Sequence, residues 1–175
     1  PAIYREAREL IEQHRAAGHD VIIISASADI LVEPIAAELG VDTVVATEVE
    51  VEDGKLTGTI TQYLKGEAKA AAVETFAREH GYELARCYAY SDSATDIPML
   101  AAVGNPVAVN PDRTLRKHAM SSGWEIRTFK NPEPLIQMPN AREVGIGAGV
   151  IAGITALAVV GTLVTRAIMR DGRSA

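Results

Sequence analysis

The chain has 175 residues, and 17 Lys and Arg against 23 Asp and Glu leave a formal net charge of −6. Its 47% apolar and 23% charged residues exclude wholesale disorder and a collagen-like chain, and the acidic balance excludes a general nucleic-acid binder, which needs a basic face. The single cysteine, Cys87, excludes an internal disulfide framework and a Cys-rich zinc site.

The first residues, Ala2 to Ala17, read as an amphipathic helix with Ile3, Ala7, Leu10 and Ile11 on one face and Gly18 as its stop. Because the pattern opens at Pro1 without a lead-in, the chain reads as a fragment of something longer. Val21-Ile22-Ile23-Ile24 is an apolar β-branched run, as expected of a strand buried on both faces of a parallel sheet. A helix follows from Asp29 to Leu39, then a short strand at Thr43–Ala46. Glu48–Val51 and Lys55–Ile60 flank Asp53-Gly54, a hairpin signal. Helices are expected over Glu67–His80, Asp96–Val103 and Asp112–Met120, and strands over Arg86–Tyr90, Pro106–Val109 and Trp124–Thr128. Alternation of this kind means βαβ units and a parallel sheet.

The charge is unevenly placed. Residues 144–165 carry no charge, no Asn or Gln and no Pro, and Arg166, Arg170 and Arg173 follow them. At about 1.5 Å per residue, a helix over this stretch spans the roughly 30 Å hydrocarbon core of a bilayer. The chain therefore divides into an acidic α/β domain over 1–130, a Pro-rich connector over 131–143, a transmembrane helix over 144–166 and a basic tail over 167–175. Gly145, Gly149 and Gly153 recur every four residues, a spacing that permits helix–helix dimerisation in a bilayer. This predicts a single-pass, membrane-associated protein with its α/β domain in the cytoplasm. Gly147–Ala152 also fits a dinucleotide fingerprint, but no strand precedes it, so that reading is rejected.

In parallel sheets chemistry gathers at the carboxyl ends of the strands, and two of those ends are polar here. Ser25-Ala26-Ser27 follows the apolar strand and precedes a helix. A hydroxyl with helix N-terminal N–H groups can hold an anion; helix capping by Ser27 or Asp29 is the simpler reading. The second is Ser91-Asp92-Ser93-Ala94-Thr95-Asp96. Asp92 and Asp96 present two hard carboxylates at a spacing that suits Mg²⁺, whereas capping accounts for only one of these polar groups. Lys69, in Gly66-Glu67-Ala68-Lys69, puts a cation at a helix start, where it is unfavourable unless an anion is nearby. Lys65 is its neighbouring candidate. His14, His19, His80 and His118 have no metal-binding spacing and are read as structural, and Cys87 as core.

Ser at one strand end, Lys at a helix start and Asp-x-Ser-x-x-Asp at a later strand end together resemble motifs II, III and IV of the haloacid dehalogenase superfamily. "GHDVIIISAS", "PIAAELGVDTVVATEVEVEDGKLTG", "GEAK", "YAYSDSATDIPML" and "VAVNPDRTLRKHA" are similar to its IB, phosphoserine phosphatase-like subfamily over residues 1–130. The resemblance implies a Rossmannoid parallel sheet with flanking helices and a Mg²⁺-dependent phosphatase working through an aspartyl-phosphate, acting on a small phosphorylated metabolite. By motif, Ser25, Ala26, Ser27 and Lys69 hold the phosphoryl group, with Ser25 and Lys69 catalytic; Asn110 lines the site. Asp92 binds the metal directly and Asp96 supports it, through water or by orienting Lys69.

Two departures stand out. Phosphoserine phosphatases proper carry Gly-Asp-Gly-x-Asn-Asp where this chain has Ser91–Asp96, and no Asp-x-Asp of motif I occurs anywhere. The nucleophile and the cap domain are then expected upstream, and the central strand of the sheet is absent. The competing readings are a fragment of a P-type ion-pump phosphorylation domain and a non-catalytic, membrane-tethered binding module. Without its central strand the 175-residue chain alone is expected to be poorly stable, and a sharp cooperative melting transition for it would refute this.

Overall fold

Strand β2 (Val21–Ala28) organises the fold because its side chains alternate between two cores. A computed structural model describes residues 2–134 and 163–165. Ile22 and Ile24 point into a cluster with Leu64, Val73, Ala89, Leu100, Ala108 and Leu115; Val21 and Ile23 point the other way, into Ile11, Val32, Ala36, Leu39 and Val41. This is the period-two consequence of a strand buried on both faces.

The chain runs β1 (Ala2–Tyr4), α1 (Arg5–Ala16), β2, α2 (Asp29–Glu38), β3 (Thr43–Glu52), β4 (Lys55–Gln62), α3 (Glu67–Glu79), β5 (Tyr88–Ser91), α4 (Ile97–Ala101), β6 (Asn105–Val109), α5 (Arg113–Ser122), β7 (Glu125–Arg127), β8 (Pro132–Pro134) and β9 (Leu163–Thr165), with single 3-10 turns at Leu84–Arg86 and Ala94–Asp96. β2 pairs in parallel with β3, and β5, β6 and β7 pair in parallel with one another. The expected α/β alternation is thus present. Among the described residues the two parallel sets share no hydrogen-bonded strand pair, because the sheets are ordered β4-β3-β2-β9 and β5-β6-β7.

Helices join what the strands leave apart. α1 contributes Ile11 to the core around Val21 and Ile23, and its neighbour Leu10 to a cluster with Tyr90 of β5 and Val107 of β6. Val73 of α3 does the same on the opposite face, packing with residues of β2, β5 and β6. Burying a Leu, Ile or Val of this kind contributes about 1.5–3 kcal/mol. At the amino ends of β5 and β6, Gly104 donates to the Leu84 carbonyl at 2.9 Å, and a Cβ at Gly104 would sit 1.8 Å from the Ala85 carbonyl oxygen.

Several elements differ from expectation. The helix expected from Ala2 begins at Arg5, and Ala2–Tyr4 form β1, antiparallel to β8. The connector read as beginning at 131 therefore opens with a strand. Polar contacts hold the pair: the Glu6 carboxylate accepts from the backbone N–H of Lys130 and Asn131, and Arg5 pairs with Glu133. β3 is one unbroken strand through Glu52, and the Asp53-Gly54 turn joins it to β4 as read. Cross-strand pairing of Val49 with Ile60 and Val51 with Leu56 gives this ribbon one apolar face.

Leu163–Thr165 fall in the stretch read as a membrane helix, yet they form β9, antiparallel to Val21–Ile23 and against β5. β2 would otherwise present an unpaired edge of N–H and C=O groups there. The rest of that stretch, with Gly145, Gly149, Gly153 and the basic tail, lies outside the described residues. Among the described residues no helix is long and apolar enough to cross a membrane.

All four histidines pack structurally. His80 stacks on Phe76 and His118 meets Trp124 edge-on. His14 is buried at 8% exposure, with Nε2 hydrogen-bonded to the Tyr90 hydroxyl at 2.9 Å and Nδ1 to His19 Nδ1 at 2.8 Å. Burial first, then the neighbouring His19 and Arg127 charges, lowers its pKa from 6.5 to about 4. A group depressed on folding contributes stability that is full above its unfolded pKa and is lost as pH falls below it. The melting temperature should therefore drop between pH 6.5 and about 4, on the order of 2 kcal/mol in stability. His14→Gln should flatten that slope; an equally steep fall in the variant would contradict the assignment.

Candidate active site

Both polar strand ends lie at the carboxyl edges of β2 and β5, where a parallel sheet presents its chemistry. At β2 the buried Ser25 hydroxyl oxygen accepts from the Ser27 N–H at 3.1 Å, which turns the backbone just past the apolar run. The N-cap of α2 is Ala28, with no side-chain cap, and Asp29 Oδ1 accepts from the adjacent Ile30 N–H. Ser27 is therefore not the helix cap. Thr47, buried at 3% exposure, donates to the Ala26 carbonyl at 2.9 Å and accepts from the Leu64 N–H at 3.1 Å. One hydroxyl thus binds the β2 edge to the segment that leads into α3.

α3 starts at Glu67 after Gly66, whose φ of 57° and ψ of −122° lie in a region open to glycine but strained for other residues. Three residues further on, Lys69 is aimed inward. Its ammonium is 3% exposed and stands 3.0 and 3.1 Å from the two oxygens of Asp96. Lys65 is exposed, so the structure selects Lys69 of the two candidates.

Asp96 is wholly buried. It is the N-cap residue of α4, yet its side chain makes no cap hydrogen bond; the carboxylate is committed to Lys69 and to the Ser91 hydroxyl, which donates to Oδ2 at 2.8 Å. Capping of the preceding turn falls to Ser93, whose hydroxyl accepts from the Thr95 N–H. The geometry brings Asp96 to Lys69, one of the two roles read for it. Both hydrogen bonds fall on Oδ2, whereas Oδ1, 3.0 Å from the ammonium, accepts no hydrogen bond among the described residues.

Asp92 is half-buried at the tip of β5. Desolvation, followed by the charges of Asp96 and Asp112, pushes its carboxyl up, against its own backbone N–H and Lys69, which pull it down. Asp112 braces this turn twice and caps the next helix: its N–H donates to the Asp92 carbonyl at 2.9 Å, Oδ2 accepts from Ala94 N–H at 2.7 Å, and Oδ1 caps α5 through Leu115 N–H at 2.8 Å. These N–H bonds hold the Asp112 carboxyl below its ordinary range. Asn110 serves a different end from the one read for it. Its amide donates to the Phe129 carbonyl at 3.0 Å and its oxygen accepts from the Phe129 N–H at 2.9 Å. Its side chain thereby ties the end of β6 to the chain beyond β7.

Sequence reading missed Thr47, Ser91 and the bracing role of Asp112. Only Asp112 left a signal, as an acidic residue just before a helix. Among the described residues no group of three or more His, Cys, Asp or Glu is arranged to hold a metal ion.

A model of the haloacid dehalogenase-like hydrolase family matches residues 1–101. A Streptomyces azureus protein named for inhibition of morphological differentiation is 54% identical over 78% of this chain and 50% of its own length. A phosphoserine phosphatase of Mycobacterium tuberculosis is 41% identical over 87% of this chain and 50% of its own. The chain thus spans about half the length of these curated relatives. The solved structure of a phospho-aspartyl intermediate analogue of phosphoserine phosphatase superimposes with a TM-score of 0.60 and 31% identity, over 71% of this chain and 58% of that one.

Removing one partner of a buried ion pair leaves an uncompensated charge, whereas removing both does not. Asp96→Ala should therefore lower stability by about 3–5 kcal/mol, and Lys69→Met/Asp96→Leu should recover most of the loss in urea denaturation. A double variant no more stable than the single one would show that the pair is not the source of the cost.

Proposed function

The chain belongs to the haloacid dehalogenase-like hydrolases, and on that premise we propose that it carries the phosphate- and metal-holding side of a Mg²⁺-dependent phosphomonoester hydrolase. The carrying observation is Lys69: an ammonium buried at a helix start and held by Asp96 at the strand edge that also bears Asp92. A cation is kept there at the cost of desolvation, which is reasonable where negative charge must be neutralised.

Each residue has a definite task in this reading. The Ser25 hydroxyl donates to a phosphoryl oxygen and, with the backbone of Ala26 and Ser27, orients the group. The Lys69 ammonium neutralises charge on the phosphoryl oxygens and on an attacking carboxylate. The 175 residues hold no Asp-x-Asp, so this reading takes that carboxylate from outside the given sequence. That carboxylate forms the new bond to phosphorus as the bond to the alcohol oxygen breaks, and water later attacks the aspartyl-phosphate to release phosphate.

The donor set fits Mg²⁺ in part. A half-buried, oxygen-only ligand whose ionised form is penalised by desolvation and by two acidic neighbours favours a hard divalent cation, and Mg²⁺ takes only one or two carboxylates with waters. Asp92 would hold it, and the ion when bound supplies positive charge beside the phosphoryl group. The substrate is a small phosphorylated metabolite of the phosphoserine type, as the names of the relatives suggest.

The test uses the full-length protein with Mg²⁺ against phosphoserine and p-nitrophenyl phosphate, following phosphate release. Release should require Mg²⁺, stop with EDTA, and fall about 10²–10³-fold in kcat for Lys69→Met. Wild-type protein without phosphate release, or a Lys69→Met variant of undiminished kcat, would refute the proposal.

A further inference from the structure

Ser91 stands where phosphoserine phosphatases proper carry a glycine, and a glycine there has no side chain to offer the site. In this chain the hydroxyl is 3% exposed and both sides of its hydrogen-bonding capacity are used. Its lone pair accepts from the Ser93 N–H at 3.1 Å, closing the turn that carries Asp92. Its one proton goes to Asp96 Oδ2 at 2.8 Å. The turn needs only the acceptor, so the donated proton has a separate use.

That use follows from the geometry of the carboxylate. The torsion that rotates a carboxylate plane is soft, and an ammonium is a compact point charge on a flexible four-carbon stem. Lys69, 3.0 and 3.1 Å from the two oxygens, therefore cannot by itself hold the Asp96 plane. A second donor on a strand fixes it, because β5 is paired in parallel register with β6 at Ser91↔Ala108. We propose that Ser91 is a positioning residue: through its hydrogen bond to Asp96 it fixes the carboxylate plane and thereby the point at which the Lys69 ammonium meets phosphate. The proposal rests on the phosphate-holding role given to Lys69 above. It adds a residue that acts through Asp96 and touches neither substrate nor metal.

The test measures binding of two probes to the full-length protein by calorimetry: inorganic phosphate at saturating Mg²⁺, and Mg²⁺ alone. Ser91→Ala should weaken phosphate about tenfold, the scale of one lost hydrogen bond to a charged group, while Mg²⁺ affinity falls by clearly less, because loss of the Ser93 N–H acceptor loosens the Asp92 turn without removing its carboxylate. Ser91→Thr, which restores a hydroxyl, should bring phosphate affinity back to within about threefold of wild type. Should Ser91→Ala not fold, Ser91→Gly removes the same hydroxyl and carries the same expectation. Phosphate affinity unchanged in the hydroxyl-free variant, a parallel loss of Mg²⁺ affinity, or a Thr variant no better than Ala would each overturn the proposal. Failure of the hydrolase reading looks different: wild-type protein would bind phosphate, with the Ser91 dependence intact, and hydrolyse no monoester.

Discussion

The site is organised around one buried charge pair. Lys69 and Asp96 are both removed from water, each at a desolvation cost of several kcal/mol, and their attraction offsets it only with good geometry and a filled complement of hydrogen bonds. Much of the local structure supplies that geometry. Gly66 allows α3 to begin with Lys69 aimed inward, Ser91 offers a second donor, and Ser93 takes over the capping that releases Asp96 from it. A pair of this kind is poor evidence of stability in itself. It is better understood as a charge held in place for something that binds beside it.

Around that pair the layers are built with an interruption. The strands that carry Ser25 and Ser91 belong to different hydrogen-bonded sets, and the described strand between them, β9, runs against β2. Cohesion across the gap passes to side chains of α1 on one face and α3 on the other. Adjacent residues Leu10 and Ile11 separate to different clusters because consecutive helical positions point about 100° apart. Strand pairing is directional and breaks at the gap, whereas apolar packing has no direction and continues across it.

Local chemistry made much of this visible in the sequence. The Val21–Ile24 run, the Asp53-Gly54 turn and the clustering of Asp92 with Asp96 are short-range patterns whose causes lie within a few residues. Lys69 was legible because a cation at a helix start asks for a reason. What escaped depends on partners far along the chain. β1 needs β8, 130 residues away in register, and no periodicity within Ala2–Tyr4 announces that pairing. Thr47 acts through Ala26 and Leu64, and Asn110 through Phe129, so their roles exist only once strands are in register. Asp96 was read with two roles because spacing gives a side chain's direction and not its partner; the fold brings it a buried lysine 27 residues earlier.

The close approach at Gly104 has a consequence at a distance. The Ala85 carbonyl and the Gly104 backbone touch at the amino ends of β5 and β6, and Asn105 binds the Cys87 carbonyl with both its N–H and its amide. From there to Ser91 the strand is four residues long, about 13 Å at 3.3 Å per residue. The sheet thus works as a ruler with its zero mark at one edge and its reading taken at the other. An added methyl at Gly104 touches nothing chemical, yet it would collide with the Ala85 carbonyl and displace the zero from which Ser91 is placed. Tolerance for the chemistry at one end is thereby set by the absence of a side chain at the other.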